Sequence, residues 1–305
     1  MIASQIAECK FFFRRAGILC ALILRFVVAP PADAAPWLVR SQPLRLVNGA
    51  CALFEVMPPA PLKSLTGTWL GHEITFNFDP AAKTWFAIAG VPLETPPGIY
   101  SLQLSGAPSA ASAESGAIAF TRRFAVEPAR YPKVELTVPR QFTEPNPEQL
   151  AQIAADNQIK HEYMNRVTPE RQWSGNFRRP AHAAISDVFG TRRVFNGETQ
   201  SQHLGLDFRV PAGTPVAAMN GGTVLLARPF YFEGNCVVLN HGQGLLTVYM
   251  HLSEFKVKEG DRVKRGQILG LSGATGRVTG PHLHVAVRWQ GTYLDPASLL
   301  HLPLP

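Results

Sequence analysis

The apolar runs between residues 180 and 305 are short, and glycine interrupts them. Residues 237–239, 246–250, 268–271 and 284–287 are apolar stretches of strand length bounded by Gly or Asn. Glycines recur between such stretches, at Gly221-Gly222, Gly242, Gly244, Gly260, Gly266, Gly273, Gly276 and Gly280. Punctuation of this kind predicts a mainly β domain of short strands joined by tight turns. The one helical feature expected there is a turn at 296–300.

The first half of the chain carries the same signature in another form. Ile74, Phe76 and Phe78 alternate with Glu73, Thr75 and Asn77, and Tyr100, Leu102 and Leu104 alternate with Ser101 and Gln103. A period of two is the pattern of a half-buried strand. Asp79-Pro80 and Pro96-Pro97-Gly98 are turn signals between such runs. About seven short strands within residues 36–130 predict an immunoglobulin-like β-sandwich. Residues 105–116, rich in Ser, Ala and Gly, read as a loop. Residues 131–179 read as a connector. Val134, Leu136 and Val138 alternate as one more strand. Asn146-Pro147-Glu148 then opens a helix with a cap residue, a first-turn proline and an acid that the helix dipole favours. Leu150, Ile153, Ala154 and Asn157 carry that helix to about Tyr163.

Residues 1–35 read as a cleaved export signal. Lys10, Arg14 and Arg15 precede an apolar run at 16–24, and Ala32-x-Ala34 is a small-residue cleavage pattern. The run is short for a transmembrane helix. The expected product is a periplasmic or extracellular protein of the cell envelope, without stable membrane insertion. At 46% hydrophobic and 17% charged residues the 305-residue chain is too apolar to be disordered, and its four cysteines exclude a disulfide-dense scaffold. Cys51 and Cys236 lie far apart, either as a pair or as two separate buried thiols. The net charge of +7 suits an anionic partner. No basic run interleaved with aromatics occurs, so nucleic acid is not the expected partner.

Six of the nine histidines lie after residue 200. In His203-Leu204-Gly205-Leu206-Asp207, positions i and i+4 of a strand would project His203 and Asp207 from one face, with Leu204, Leu206 and Phe208 on the other. In His282-Leu283-His284 the two imidazoles share a face opposite Leu283, Val285 and Val287. Two imidazoles and a carboxylate on adjacent strands suit Zn²⁺, whose catalytic sites use three protein ligands and leave a fourth position open. Between these elements lies Tyr249-Met250-His251, with Tyr249 and His251 expected on one strand face. There is no HExxH, so a hydrolase here needs another proton acceptor. His251 and whichever of His282 and His284 is not a ligand are the candidates. His241 reads as structural, and His72, His161, His182 and His301 as ordinary solvated residues.

The ordered set His203-x-x-x-Asp207, Tyr249-Met250-His251-Leu252 and Thr279-Gly280-Pro281-His282-Leu283-His284 resembles the lysostaphin-like (LytM, beta-lytic) zinc metallopeptidases. Pro211-Ala212-Gly213-Thr214-Pro215-Val216, Asn240-His241-Gly242 and Leu294-Asp295-Pro296 resemble that family too, and the likeness covers about residues 180–300. The resemblance implies a groove floored by an antiparallel sheet. It implies one Zn²⁺ per chain held by His203, Asp207 and His284, with His251 and His282 as catalytic histidines. It implies an endopeptidase acting on peptidoglycan peptides. Phe189 to Gly197 is similar to a segment near the groove in exported members. Asn196 there is a candidate for contact with substrate or zinc, or simply the Asn of an Asn-Gly turn; Tyr249 is a further candidate for contact with substrate or ligands. The alternatives are a latent wall-binding or hydrolase-activating protein, and a zinc protease acting on proteins.

Overall fold

The computed structural model describes residues 36–109, 116–136, 145–195 and 199–305. The expected export signal lies outside them. Among the described residues nine strands precede residue 128: β1 (Leu38–Gln42), β2 (Leu46–Val47), β3 (Cys51–Met57), β4 (Leu62–Trp69), β5 (His72–Thr75), β6 (Asn77–Asp79), β7 (Thr84–Gly90), β8 (Gly98–Pro108) and β9 (Ile118–Glu127). They form two sheets, in the orders β1-β3-β7-β6 and β2-β9-β8-β4-β5. All pairings are antiparallel except β2 with β9, which is parallel. Phe54 of the first sheet meets Trp69 and Phe124 of the second, each with ring centroids 5.1 Å apart. Trp69 Nε1 donates to Gly90 O at 2.9 Å, which satisfies the buried indole.

Two sequence expectations need correction here. Ile74, Phe76 and Phe78 do not share a strand. β5 belongs to one sheet and β6 to the other, and the chain crosses between them at buried Phe76, whose N–H donates to Leu65 O. Alternation persists across such a crossing because each sheet still needs one apolar face. The loop expected from residue 105 begins later, since β8 continues to Pro108.

β10 (Lys133–Leu136) then pairs in parallel with β12 (Arg192–Phe195), and β12 pairs antiparallel with β13 (Thr199–Gln202). α1 (Pro147–Met164) starts at Asn146 with a full capping box to Gln149. The remaining strands are β11 (Ile185–Asp187), β14 (Leu206–Phe208), β15 (Pro215–Ala217), β16 (Gly222–Phe230), β17 (Gly234–Asn240), β18 (Leu245–Phe255), β19 (Arg262–Val263), β20 (Ile268–Ser272), β21 (Leu283–Trp289) and β22 (Thr292–Leu294). α2 (Pro296–His301) follows them. The spine of their sheet runs β11-β14-β21-β18-β17-β16-β19.

The two faces of this sheet have different covers. On one face Val237, Leu239, Tyr249, Val285 and Val287 join an apolar core continuous with that of the N-terminal sheets. Cys51 N–H donates to Ser298 Oγ at 2.8 Å and Asp295 N–H to Gly49 O at 2.7 Å across that boundary. Residues Ala35–Pro305 accordingly form one compact unit. On the other face α1 lays Ile159, Tyr163 and Met164 over Val238, Val248 and Ala286. Each fully buried side chain of this size contributes about 1.5–3 kcal/mol. α1 thus covers one part of this face, and His284 and Asp207 project from the same face beyond it. Among the described residues no helix is long and apolar enough to cross a membrane. Cys51 and Cys236 are free buried thiols, and burial pushes both up, Cys51 to about 12.

Candidate metal centre

Cross-strand pairing fixes the first two donors. Asp207 on β14 lies opposite His284 on β21, so both project from the same face. His284 Nδ1 is 2.8 Å from Asp207 Oδ1. His203 reaches them differently from the expectation. It is not on a strand with Asp207; it sits just beyond β13, and the chain turns through Gly205 before β14 begins. The turn brings His203 Nε2 to 3.1 Å from Asp207 Oδ1 and 3.0 Å from His284 Nδ1. The donor atoms of His203, Asp207 and His284 all lie within 4.8 Å of one another, a candidate metal site.

The tautomers follow from the partners. His203 Nδ1 lies 2.8 Å from Val188 O, a carbonyl that can only accept, so the proton is on Nδ1 and the Nε2 lone pair faces the cluster. Asp187 Oδ2 lies 3.4 Å from the same Nδ1. Arg193 on β12 pairs with Asp187 and, at 3.1 Å, with the outer oxygen of Asp207. Burial raises the Asp207 carboxyl, but hydrogen bonds and charge from His203 and His284 outweigh it and hold it far below the usual carboxylate range. Burial lowers His284, which keeps its imidazole neutral and fit to donate a lone pair.

His251 stands beside these groups for a reason that alternation does not give. Asn235 pairs with Leu252 and Val237 with Tyr249, so Met250 and His251 both face Cys236 across one bulge of β18. His251 takes a left-handed backbone, φ 63°. The bulge reverses its side relative to Tyr249. Its ring centroid comes to 4.9 Å from His282 and 6.1 Å from His284. Tyr249 stays on the opposite face, fully buried, where its hydroxyl accepts from Met219 N–H at 2.9 Å and contacts Thr247 Oγ1 at 3.0 Å. The two residues therefore do not share a face. His251 Nδ1 donates to Thr275 O at 2.9 Å, and His282 Nδ1 to Gly280 O at 2.9 Å. With both Nδ1 atoms engaged, each ring presents Nε2, and that of His282 lies 3.7 Å from Asp207 Oδ1. Burial, then the charges of His284 and His282, push His251 down to about 3. Asn196 lies outside the described residues.

The model of peptidase family M23 matches residues 201–296, which hold all five of these groups. Residues 201–296 belong to peptidase family M23. Among proteins similar to this chain is the peptidoglycan DD-endopeptidase ShyA of Vibrio cholerae, 48% identical over 101 residues, or 33% of this chain and 24% of that protein. The DD-carboxypeptidase/endopeptidase Mpg of Neisseria meningitidis is 40% identical over 124 residues, 41% of this chain and 28% of Mpg. The chain thus spans about a quarter of the length of these curated relatives. A crystal structure of a candidate M23 peptidase from Pseudomonas aeruginosa superposes with a TM-score of 0.62 at 28% identity, covering 84% of this chain and 95% of that one. The likeness therefore extends into the N-terminal sheets.

Several residues at this M23 centre escaped sequence reasoning. Arg193 and Asp187 lie outside the His/Asp motifs, and strand pairing brings them in: Asp187 on β11 sits opposite Asp207 on β14, and Arg193 comes from β12 of the β10–β12–β13 sheet. Gly205 carried a signal in retrospect, a glycine inside a ligand motif. A Cβ there would lie 2.4 Å from Val285 O and 2.5 Å from His284 Nε2.

Proposed function

We propose that the chain is an exported zinc metalloendopeptidase that hydrolyses peptide bonds in peptidoglycan stems or cross-links, with DD-endopeptidase specificity like that named for ShyA. The observation that carries this reading is the convergence of three donor atoms with two further histidines, each anchored at Nδ1. Two imidazole nitrogens and one carboxylate oxygen match the donor set of catalytic zinc and leave a position open, whereas closed structural sites use four protein ligands. We assign His203, Asp207 and His284 as the ligands of one Zn²⁺. When bound, the ion polarises a peptide carbonyl and makes water a stronger acid.

The chain's own groups do the rest. Arg193 and Asp187 hold the ligands in orientation from behind, as outer partners of metal-binding residues do. His251 and His282 handle protons at Nε2. His251 enters the reaction neutral, with its lone pair available to orient or accept from an attacking water. His282, half-buried at the mouth of the site, takes or returns a proton on the substrate side. Basic charge favours the anionic wall and predicts weaker action at high salt.

The N-terminal region we assign to residues 36–130 as an immunoglobulin-like accessory module, with 131–179 as the strand and connector helix and 180–305 as the peptidase domain. The orders β1-β3-β7-β6 and β2-β9-β8-β4-β5 support this type. They correspond to an A-B-E-D sheet facing a G-F-C sheet extended at its edges. We assign residues 1–35 as its export signal and the cell envelope as its location.

The test is digestion of purified peptidoglycan by the full chain, with and without a chelator, beside His251→Ala. Chelator-sensitive conversion of cross-linked dimers to monomers, absent in the variant, is expected. Intact dimers with zinc bound would refute the activity.

A further inference from the structure

The left-handed backbone of His251 needs holding, because the bulge at 250–251 leaves its N–H without the ladder partner a regular strand would supply. Glu233 O provides that partner, accepting His251 N–H at 2.9 Å. The next residue, Gly234 (φ 61°), packs on Thr275 so closely that a Cβ would lie 2.3 Å from Thr275 C. Thr275 O in turn accepts from His251 Nδ1, and Thr275 Oγ1 accepts Asn235 N–H at 2.9 Å and donates to Leu252 O at 2.8 Å. The turn between β16 and β17 therefore controls both the backbone and the ring of His251.

That turn is itself held from outside residues 201–296, by α1. Asp156, 4% exposed, accepts Tyr231 N–H through Oδ2 at 2.6 Å, while Gln152 Nε2 donates to its Oδ1 at 2.7 Å. One turn along the helix, Lys160 Nζ lies 2.6 Å from Glu233 Oε1 and 5.8 Å from the Phe230 ring centroid. The Glu233 side chain is 14% exposed and its Oε2 has no hydrogen-bond partner. Lys160 is thus the cation in ion-pair contact with this largely buried carboxylate, with Arg277 a further electrostatic neighbour, and its removal takes that ion pair away.

We propose that α1 is a brace for His251, with Lys160 and Asp156 as positioning residues that act through the Tyr231–Gly234 turn. The proposal deepens the catalytic reading of His251 and rests on it for its kinetic consequence, though not for its structural one.

Hydrogen–deuterium exchange of the full zinc-loaded chain tests the structural part. Lys160→Met should speed exchange in segments 230–236 and 248–253 and leave β14 and β21 at the wild-type rate, because local openings follow local contacts. Lys160→Arg, which keeps a cation within reach, should restore protection. Asp156→Ala should give the same local pattern if Lys160→Met does not fold. Unchanged exchange in both segments, or an equal rise across β14 and β21, would overturn the brace. The kinetic part follows on peptidoglycan dimers. Lys160→Met should lower kcat about tenfold to a hundredfold, as small misplacements of catalytic groups do. KM and zinc per chain should stay unchanged. An unchanged kcat beside faster exchange would overturn the positioning role. A wild-type chain that cleaves nothing would instead remove the functional reading, with the exchange result still deciding the brace.

Discussion

The two faces of one sheet each bury histidine, and they use it in opposite ways. On the core face His241 is fully buried and both ring nitrogens are engaged. Nδ1 donates to Gly221 O at 2.6 Å, and Nε2 lies 2.8 Å from Thr247 Oγ1, which also touches Tyr249. Every polar group in that chain has a partner, so nothing is left over for chemistry. On the other face His203, His251 and His282 each engage one nitrogen with a backbone carbonyl and turn the second toward a common centre. Burial alone therefore does not mark a site. The mark is a lone pair that the fold orients and leaves without a proton donor.

The sharpest way to break this comparison is to remove two histidines of the second face, one proposed as a ligand and one as a proton carrier. His203→Ala should lose bound zinc and all turnover. His251→Ala should keep zinc and lose about 10²–10⁴ in kcat, the range for a positioned acid or base. Equal zinc content in the two variants, read by metal analysis of the purified chains, would erase the division into ligands and proton carriers.

Gly205→Ala tests the same face without touching a donor. The added methyl meets Val285 O and His284 Nε2, so the imidazole must move. Zinc affinity should fall about 10–100-fold, the usual cost of disturbing a ligand's support. Competition against a chromogenic chelator would read it, and wild-type affinity would show that the turn at 205 yields instead.

The core face makes its own prediction through pH. Burial pushes His241 down to about 4, while the Gly221 hydrogen bond only partly opposes it. An unfolded histidine titrates near 6.5. Between those values the unfolded chain binds a proton that the folded chain does not. Stability is therefore fully present above about 6.5 and falls as pH drops toward 4, by about 3 kcal/mol from this group. Denaturant melts of wild type and His241→Gln should differ in slope across that window, and parallel curves would show that His241 is not the group responsible. The smallest expected effect is Thr247→Val. It strips the hydroxyl that bridges His241 and Tyr249 and should cost about 1–3 kcal/mol of stability. Zinc content should not change, and a loss of zinc would show that the two faces are coupled.

Much of the site was legible because short motifs carry it. The i, i+2 spacing at 282 and 284, with Leu283, Val285 and Val287 buried on the other face, needs only strand periodicity. The helix at 147–164 was legible from its cap and proline. Tyr249 and His251 misled, because periodicity counts residues and a bulge inserts one. His203 and Asp207 converged for another reason than their spacing, a bend at Gly205. Ile74, Phe76 and Phe78 alternate faithfully while belonging to two sheets.

The sequence by itself determined the alternation, the caps, the turn glycines and the short motifs that carry His203, Asp207, His251, His282 and His284, since each depends on neighbours a few positions away. Tertiary structure alone decided the rest. It seated the N-terminal sheets on β22 and α2, brought Arg193 and Asp187 beside Asp207 and His203, and set α1 against the turn whose Glu233 O accepts His251 N–H. Those arrangements join residues up to 247 positions apart, as Cys51 and Ser298 are. Contacts of that range leave no local pattern, because what selects them is the mutual fit of buried surfaces and not the propensity of any one segment.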